Sequence, residues 1–502
     1  MMYDTTILER HIFEAEHDAF REQVRRFVHE RIAPFHREWE TQGSVPRAIW
    51  REAGALGMLC CTVPGEWGGL GADYRYTVVA LEEMAYAHAP GPGFAIHSEM
   101  ATPYIVGFGT EAQKRRWLPR LVSGEAIAGI AMSEPEAGSD LRGIRTRAVP
   151  TAGGWRLSGQ KVFISNGQLA DLFVVVAKTA KDSRELSIFL VDASRPGVHR
   201  GRRLDKLGHH AQDTSELFFE DVELGPEDLL GEEGQGMRYL THGLARERLT
   251  ICILCQARAE VVFRDTVGYV TQRKVFGRAV AQYQNTRFSL AGIKADLMAG
   301  RAFVDRLIVD YMAGRLDATR AAAGKLWITE MLGRCVDACL QLHGGWGYMS
   351  EYQGLARLRG RARRAHRRGD LGGHERDHRP RHLAAAARVS GDGVEEEPHW
   401  THTSLTPSGP RGAAARPTAR CIRSRRWSWR PRCFGHSWSE AGSTPLASTR
   451  SFLAARRPLG TRGPTSRAPR RSWPATATRC PVSWFRASAA RRSTPSTSGW
   501  PR

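Results

Sequence analysis

Four short stretches concentrate the residue types that could do chemistry: Ile130-Ala-Met-Ser-Glu-Pro-Glu-Ala-Gly-Ser-Asp140, Lys161-Val-Phe-Ile-Ser-Asn-Gly167, Gln272-Arg-Lys-Val-Phe-Gly277 and Gln341-Leu-His-Gly-Gly-Trp-Gly-Tyr-Met349. Hydroxyls, a forked arginine, aromatic rings and glycines that let backbone approach closely suit the holding of a ligand. Taken singly, each stretch reads equally as turn glycines, a helix cap or core aromatics. A fifth stretch, Leu244-Ala-Arg-Glu-Arg-Leu-Thr-Ile251, carries Glu247 between two arginines. A carboxylate there can act as a general base, or pair with Arg246 or Arg248 on a solvated helix face. Cys252 and Cys255 have C-x-x-C spacing but lie in an apolar helical run without a partner pair, which reads as core thiols and no metal site.

The elements that must position these residues change period along the chain. Residues 10–130 read mostly as helices: Phe20, Val24, Phe27 and Val28 share one face, and a second helix runs through Pro46-Arg-Ala-Ile-Trp-Arg-Glu-Ala. The glycines of Val63-Pro-Gly-Glu-Trp-Gly-Gly-Leu-Gly71 break the pattern before a helix over about 75–88. Between 130 and 230 the period becomes two, with strands expected at Gly154-Trp-Arg-Leu-Ser-Gly-Gln-Lys-Val-Phe-Ile, Leu172-Phe-Val-Val-Val-Ala, Leu186-Ser-Ile-Phe-Leu-Val and Leu217-Phe-Phe-Glu-Asp-Val. The first of the four stretches falls on a loop entering this region. Long helices return over roughly 235–272, 284–312 and 317–342. The order predicts an α+β chain: a helical domain over 10–128, a β domain over 129–230 and a helical bundle over 231–352, followed by a tail over 353–502. No internal repeat is visible.

In this order and at these distances, the four stretches resemble the acyl-CoA dehydrogenases over about residues 10–352, and within them the long-chain and isovaleryl-type members. The resemblance implies an FAD-dependent enzyme that desaturates an acyl-CoA thioester, a base removing the α-proton as hydride leaves the β-carbon. It implies that Ile130, Met132, Ser133, Phe163, Ile164 and Ser165 line the flavin ring, with Phe163 standing where the family usually has tryptophan. That departure keeps an apolar wall and loses an indole N–H. Arg273, Phe276 and Gln284, with Gln341, His343, Gly344 and Gly345, would hold the rest of FAD in a site shared across a subunit interface. Ser139 matches a contact to CoA, Glu247 the base and Arg248 a substrate-contacting arginine. The base needs a dry pocket that raises its pKa toward neutrality. A homo-oligomer, dimer or tetramer, and an electron-transfer flavoprotein as acceptor follow from the same resemblance. The rival readings are an acyl-CoA oxidase-like flavoenzyme, an inactive relic, or an Arg-rich nucleic-acid-binding chain.

The net charge of +21 bears on the last rival, and it is unevenly placed. Residues 1–352 carry a net of −2, whereas 353–502 carry 31 arginines, no lysine and 8 acidic residues. A nucleic-acid arm would mix Lys with Arg, so no nucleic-acid partner is expected. Arginine, alanine, proline, glycine and serine are what GC-rich DNA yields out of frame. Permissible codons for Gly369–Arg379, read one nucleotide later, give Gly-Thr-Ser-Glu-Val-Met-Ser-Glu-Ile-Ile, which resembles the family's flavin-holding C-terminal loop. The start of the tail is therefore expected to be the enzyme's own C-terminus in the wrong frame and its later part a run into a neighbouring reading frame, the whole largely disordered, leaving the bundle incomplete and activity impaired. With charges from Asp4 onward and no apolar run of about 18 residues, the chain is expected to lack a signal peptide and a membrane span and to be cytoplasmic.

Overall fold

The computed structural model describes Thr5, residues 7–179 and residues 185–349. The expected disorder of 353–502 lies outside the described residues. The first part of the chain is helical, as its period of about 3.6 requires: α1 (Ala15–Phe27), α2 (His36–Gln42), α3 (Arg47–Ala55), α4 (Tyr74–Tyr86), α5 (Phe94–Ile96), α6 (Thr102–Phe108) and α7 (Glu111–Val122). Phe20, Val24 and Val28 are buried on one face, with Phe27 half-buried beside them. Two π-turns, Val28–Ile32 and His97–Ala101, interrupt this helical run. The chemistry of a π-turn is local insertion of one residue, so no hydrophobic period announces it.

The middle of the chain forms two sheets from β1 (Ala128–Ala131), β2 (Arg147–Thr151), β3 (Gly154–Ser165), β4 (Leu172–Ala177), β5 (Ser187–Asp192), β6 (Val198–Arg203) and β7 (Thr214–Leu224). One sheet has the order β1-β4-β5, with β1 parallel to β4; the other is antiparallel in the order β2-β3-β7-β6. All six residues of β4 are buried. Leu172, Val174 and Val176 join the core of the helical domain, while Phe173, Val175 and Ala177 face the second sheet. Alternation of side chains across a strand, with both faces covered, explains why this strand is uniformly apolar. The short or polar strands β1, β2 and β6 escaped the period-two reading because they lack apolar alternation. Ile130 therefore sits in β1 and not on an entering loop.

Among the described residues the bundle consists of α8 (Gly236–Gln272), a hairpin of β8 (Lys274–Val275) and β9 (Arg278–Ala279), α9 (Gln284–Met312) and α10 (Ala318–His343). Cys252, Cys255, Cys335 and Cys339 are all buried free thiols in its core, the structural role expected of the C-x-x-C pair. The core of this bundle also takes Tyr74, Val78 and Leu81 from α4, so the first helical domain and the bundle share apolar packing. No described helix is long and apolar enough to cross a membrane.

Candidate active site

The first two stretches meet at the exit of β1. Val162 N–H donates to the Ser133 carbonyl at 2.9 Å, and Lys161 Nζ donates to the Met132 carbonyl at 3.1 Å. The same ammonium pairs with Glu134 Oε1 at 2.8 Å, with both side chains almost wholly buried. Glu134 also accepts from Thr146 Oγ1 and from the Arg145 and Thr146 backbone. Burial holds Lys161 down to about 8 against the pull of Glu134, while the Lys161 ammonium, helped by those hydrogen bonds, overcomes burial and holds Glu134 below its usual range. A buried pair satisfied on both sides fixes Met132 and Ser133 against β3.

β3 then carries one extra residue against β7: Lys161 pairs with Leu217, and Ile164 with Ser215. This bulge places Phe163 at φ 61°, 64% exposed, while Ile164 and Ser165 stay buried. A non-glycine residue in the left-handed region is costly and is retained where a side chain must be re-aimed. Ile130, Met132, Ser133, Phe163, Ile164 and Ser165 are thus brought to one place, with an aromatic face turned outward. Ser139 is exposed further along the same loop.

The other expected FAD contacts cluster at the far end of α8. The Arg273 N–H donates to the Tyr269 carbonyl at 2.9 Å, and the Tyr269 ring stacks on His343 at 4.3 Å. Phe276 and Gly277 turn the β8–β9 hairpin with φ of 51° and 78°, the two-residue turn that matches strand twist, and Phe276 is 91% exposed. Arg273 and Gln284 are exposed beside it. At the end of α10, Gln341, Gly344 and Gly345 line a recess of 580 Å³ with Asp337, Leu340 and Tyr348. A side chain at Gly344 or Gly345 would meet open space, so the recess has an approachable backbone floor. His343 is buried, its Nδ1 against the Cys339 carbonyl at 2.9 Å, and burial lowers its pKa. It supports the recess from beneath and does not line it.

Glu247 is half-buried on α8 and accepts a hydrogen bond from the Tyr104 hydroxyl of α6 at 3.1 Å. Arg246 turns away to Glu99, at 2.7 Å, with its guanidinium over the Tyr74 ring. Arg248 Nη1 donates to the Ala318 carbonyl at the start of α10. Along α8, about 33 Å separates Glu247 from Tyr269 at ~1.5 Å per residue. One chain therefore does not bring the carboxylate and the Arg273 cluster together. A reading by motif missed Tyr104, since the lone aromatic in Ala101-Thr-Pro-Tyr104 carries no motif. The Lys161–Glu134 pair was in the quoted stretches, and an ammonium within an apolar strand was the available signal.

Three family profiles match the chain in sequence: "Acyl-CoA dehydrogenase, N-terminal domain" over residues 14–125, "Acyl-CoA dehydrogenase, middle domain" over 129–222 and "Acyl-CoA dehydrogenase, C-terminal domain" over 234–368. The chain belongs to the acyl-CoA dehydrogenase family of FAD-dependent oxidoreductases. Among curated proteins it is 45% identical over 352 residues to the mitochondrial long-chain specific acyl-CoA dehydrogenase of Rattus norvegicus, covering 69% of this chain and 82% of the rat enzyme. It is 34% identical over 350 residues to the mitochondrial isovaleryl-CoA dehydrogenase of Oryza sativa subsp. japonica, covering 68% and 85%. The acyl-CoA dehydrogenase from Geobacillus kaustophilus superposes with a TM-score of 0.72 at 40% identity, covering 76% of this chain and 100% of that one. The activity is flavin-dependent dehydrogenation of acyl-CoA in fatty-acid oxidation. The cytoplasmic expectation is corrected by these comparisons, since the long-chain relatives are mitochondrial by name. That expectation rested on early charges and the want of a long apolar run, neither of which says where the fold works.

Proposed function

We propose that the chain is a long-chain type acyl-CoA dehydrogenase whose base is Glu247. The observation that carries this is a half-buried carboxylate on α8, beside a buried tyrosine of α6, at the seam between the first helical domain and the bundle. Glu247 takes the α-proton of the thioester as hydride leaves the β-carbon, and an α,β-unsaturated thioester remains. FAD, when bound, supplies the hydride acceptor. Met132 and Ser133 present backbone and hydroxyl groups to its ring edge, Ser165 lies on the neighbouring strand end with Ile130 and Ile164 behind, and Phe163 offers the aromatic wall. The bulge that exposes Phe163 supports the fit, because that ring has an open face. Ser139 contacts the CoA portion, and Arg248 the substrate.

Arg273, Phe276, Gln284, Gln341, Gly344 and Gly345 serve the distal part of FAD, with His343 beneath. Their separation from Glu247 along α8 supports a site completed by a second copy of the chain, hence a homo-oligomer. Electrons pass on to an electron-transfer flavoprotein, the acceptor that the family resemblance implies. The composition of residues 353–502 supports a C-terminus read out of frame, and with it impaired activity. Glu247→Gln tests the central assignment: anaerobic bleaching of bound flavin by palmitoyl-CoA is lost while flavin content is unchanged. Bleaching at the wild-type rate in this variant removes Glu247 as the base.

A further inference from the structure

The geometry points to Tyr104 as a positioning residue for Glu247: its hydroxyl donates to one carboxylate oxygen, fixes the direction of the group on α8 and favours its ionised form. This rests on the reading of Glu247 as the base. The local sequence builds the contact. The π-turn His97–Ala101 inserts one residue ahead of α6, which rotates α6 by about 100° relative to an uninterrupted helix. Thr102 Oγ1 donates to the His97 carbonyl at 2.8 Å and secures that junction. Tyr104 and Phe108, four residues apart, then share one face. Opposite them on α8 stand Tyr239, Gly243 and Glu247, also at four-residue spacing. Phe108 stacks on Tyr239 at 4.1 Å, and the Tyr104 hydroxyl lies over Gly243 on its way to Glu247.

Gly243 makes the room. A Cβ at that position would fall 2.5 Å from the Tyr104 hydroxyl oxygen, a distance that no real contact tolerates. The phenol itself is only 3% exposed and is pushed well above its usual pKa, by burial first and by the Glu247 charge next. It is therefore a donor across the working pH range. A donor to a carboxylate favours the ionised form, whereas burial favours the protonated one. Among the described residues, the neighbouring charged groups of this seam make contacts of their own. Arg246 of α8 is engaged by Glu99 of the π-turn and lies over Tyr74 of α4, whose ring meets Tyr311 of α9. Arg248 reaches the start of α10, and His242 edges onto Phe108.

The test uses the full chain with palmitoyl-CoA, following the rate of anaerobic flavin bleaching against pH. Infrared titration of the Glu247 carboxyl band, assigned by its loss in Glu247→Gln, supplies a readout that needs no flavin. Tyr104→Phe keeps the buried ring and removes the donor. Gly243→Ala keeps the phenol and displaces it, and alanine is well tolerated in a helix. Both variants are expected to move the acid limb and the carboxyl band upward by about one pH unit, a tenfold change in proton affinity. If Glu247→Gln abolishes bleaching but limb and band stay in place in Tyr104→Phe and Gly243→Ala, Tyr104 only fills space and the inference is overturned. If Glu247→Gln bleaches normally, the base assignment itself fails and the inference falls with it. Should Tyr104→Phe not fold, Gly243→Ala alone decides between the same two outcomes.

Discussion

Replacing Arg301 by methionine removes the centre of a buried ionic cluster that ties α9 to α4 and α8. Arg301 is 1% exposed; its Nη1 donates to Glu82 at 2.8 Å, and its Nε and Nη2 grip Glu260 at 2.8 and 2.7 Å. Glu82 would keep Arg10, at 2.8 Å to each oxygen, and Arg21 at 3.1 Å. Glu260 would keep the neutral donors Tyr86, at 2.8 Å, and Gln256, at 2.9 Å. Stranding a buried carboxylate in this way costs about 3–5 kcal/mol. Adding Glu260→Gln removes the stranded charge and should recover about 1–3 kcal/mol, since the two residues are in contact and their effects are not additive.

Acid supplies a second reading of the same cluster. Burial alone would raise the Glu82 carboxyl, but Arg10, Arg301 and Arg21 together overcome it and hold it at about 2. Because the folded pKa lies below the unfolded one, this group stabilises the fold above roughly pH 4.3 and loses that contribution as pH falls toward 2. Arg301→Met weakens the depression, so acid unfolding should begin at higher pH. Urea unfolding of the full chain, followed by circular dichroism and tryptophan fluorescence, measures the first effect, and a circular-dichroism acid titration the second. A single substitution costing less than about 1 kcal/mol, or a double variant no more stable than the single, would refute the argument, because both contradict a stranded buried charge.

Two further outcomes follow from the chain's other features. Lys161→Met should cost about 3–5 kcal/mol by leaving Glu134 buried and unpaired, and should loosen the Met132–Ser133 segment enough to lower flavin retention; flavin content equal to wild type after gel filtration would sink the link between that pair and the cofactor. The DNA encoding Gly369–Arg379, read one nucleotide later, should give Gly-Thr-Ser-Glu-Val-Met-Ser-Glu-Ile-Ile; codons that do not yield this reading refute the frame argument.

The sequence by itself determined the elements and the chemistry they can carry. A period near 3.6 before residue 130 and after 235, alternation along β7 and unbroken burial along β4 and along β5 up to Val191 follow from which side chains must be buried. The four stretches and Glu247 stood out because hydroxyls, glycines, aromatics and charges concentrate in them. Only the tertiary structure decided which of these groups meet. The sequence placed Glu247 between Arg246 and Arg248; a π-turn without a sequence period, and the space left by Gly243, brought Tyr104 to it. The Phe163 ring faces outward because of a one-residue bulge between β3 and β7, a register property of two strands far apart in sequence. The His343 side chain, within a glycine-rich stretch, is buried by stacking on Tyr269, a contact between residues far apart in sequence. Local composition sets propensity and burial, whereas contact between distant residues depends on register, rotation and the room left by neighbours, which no single segment encodes.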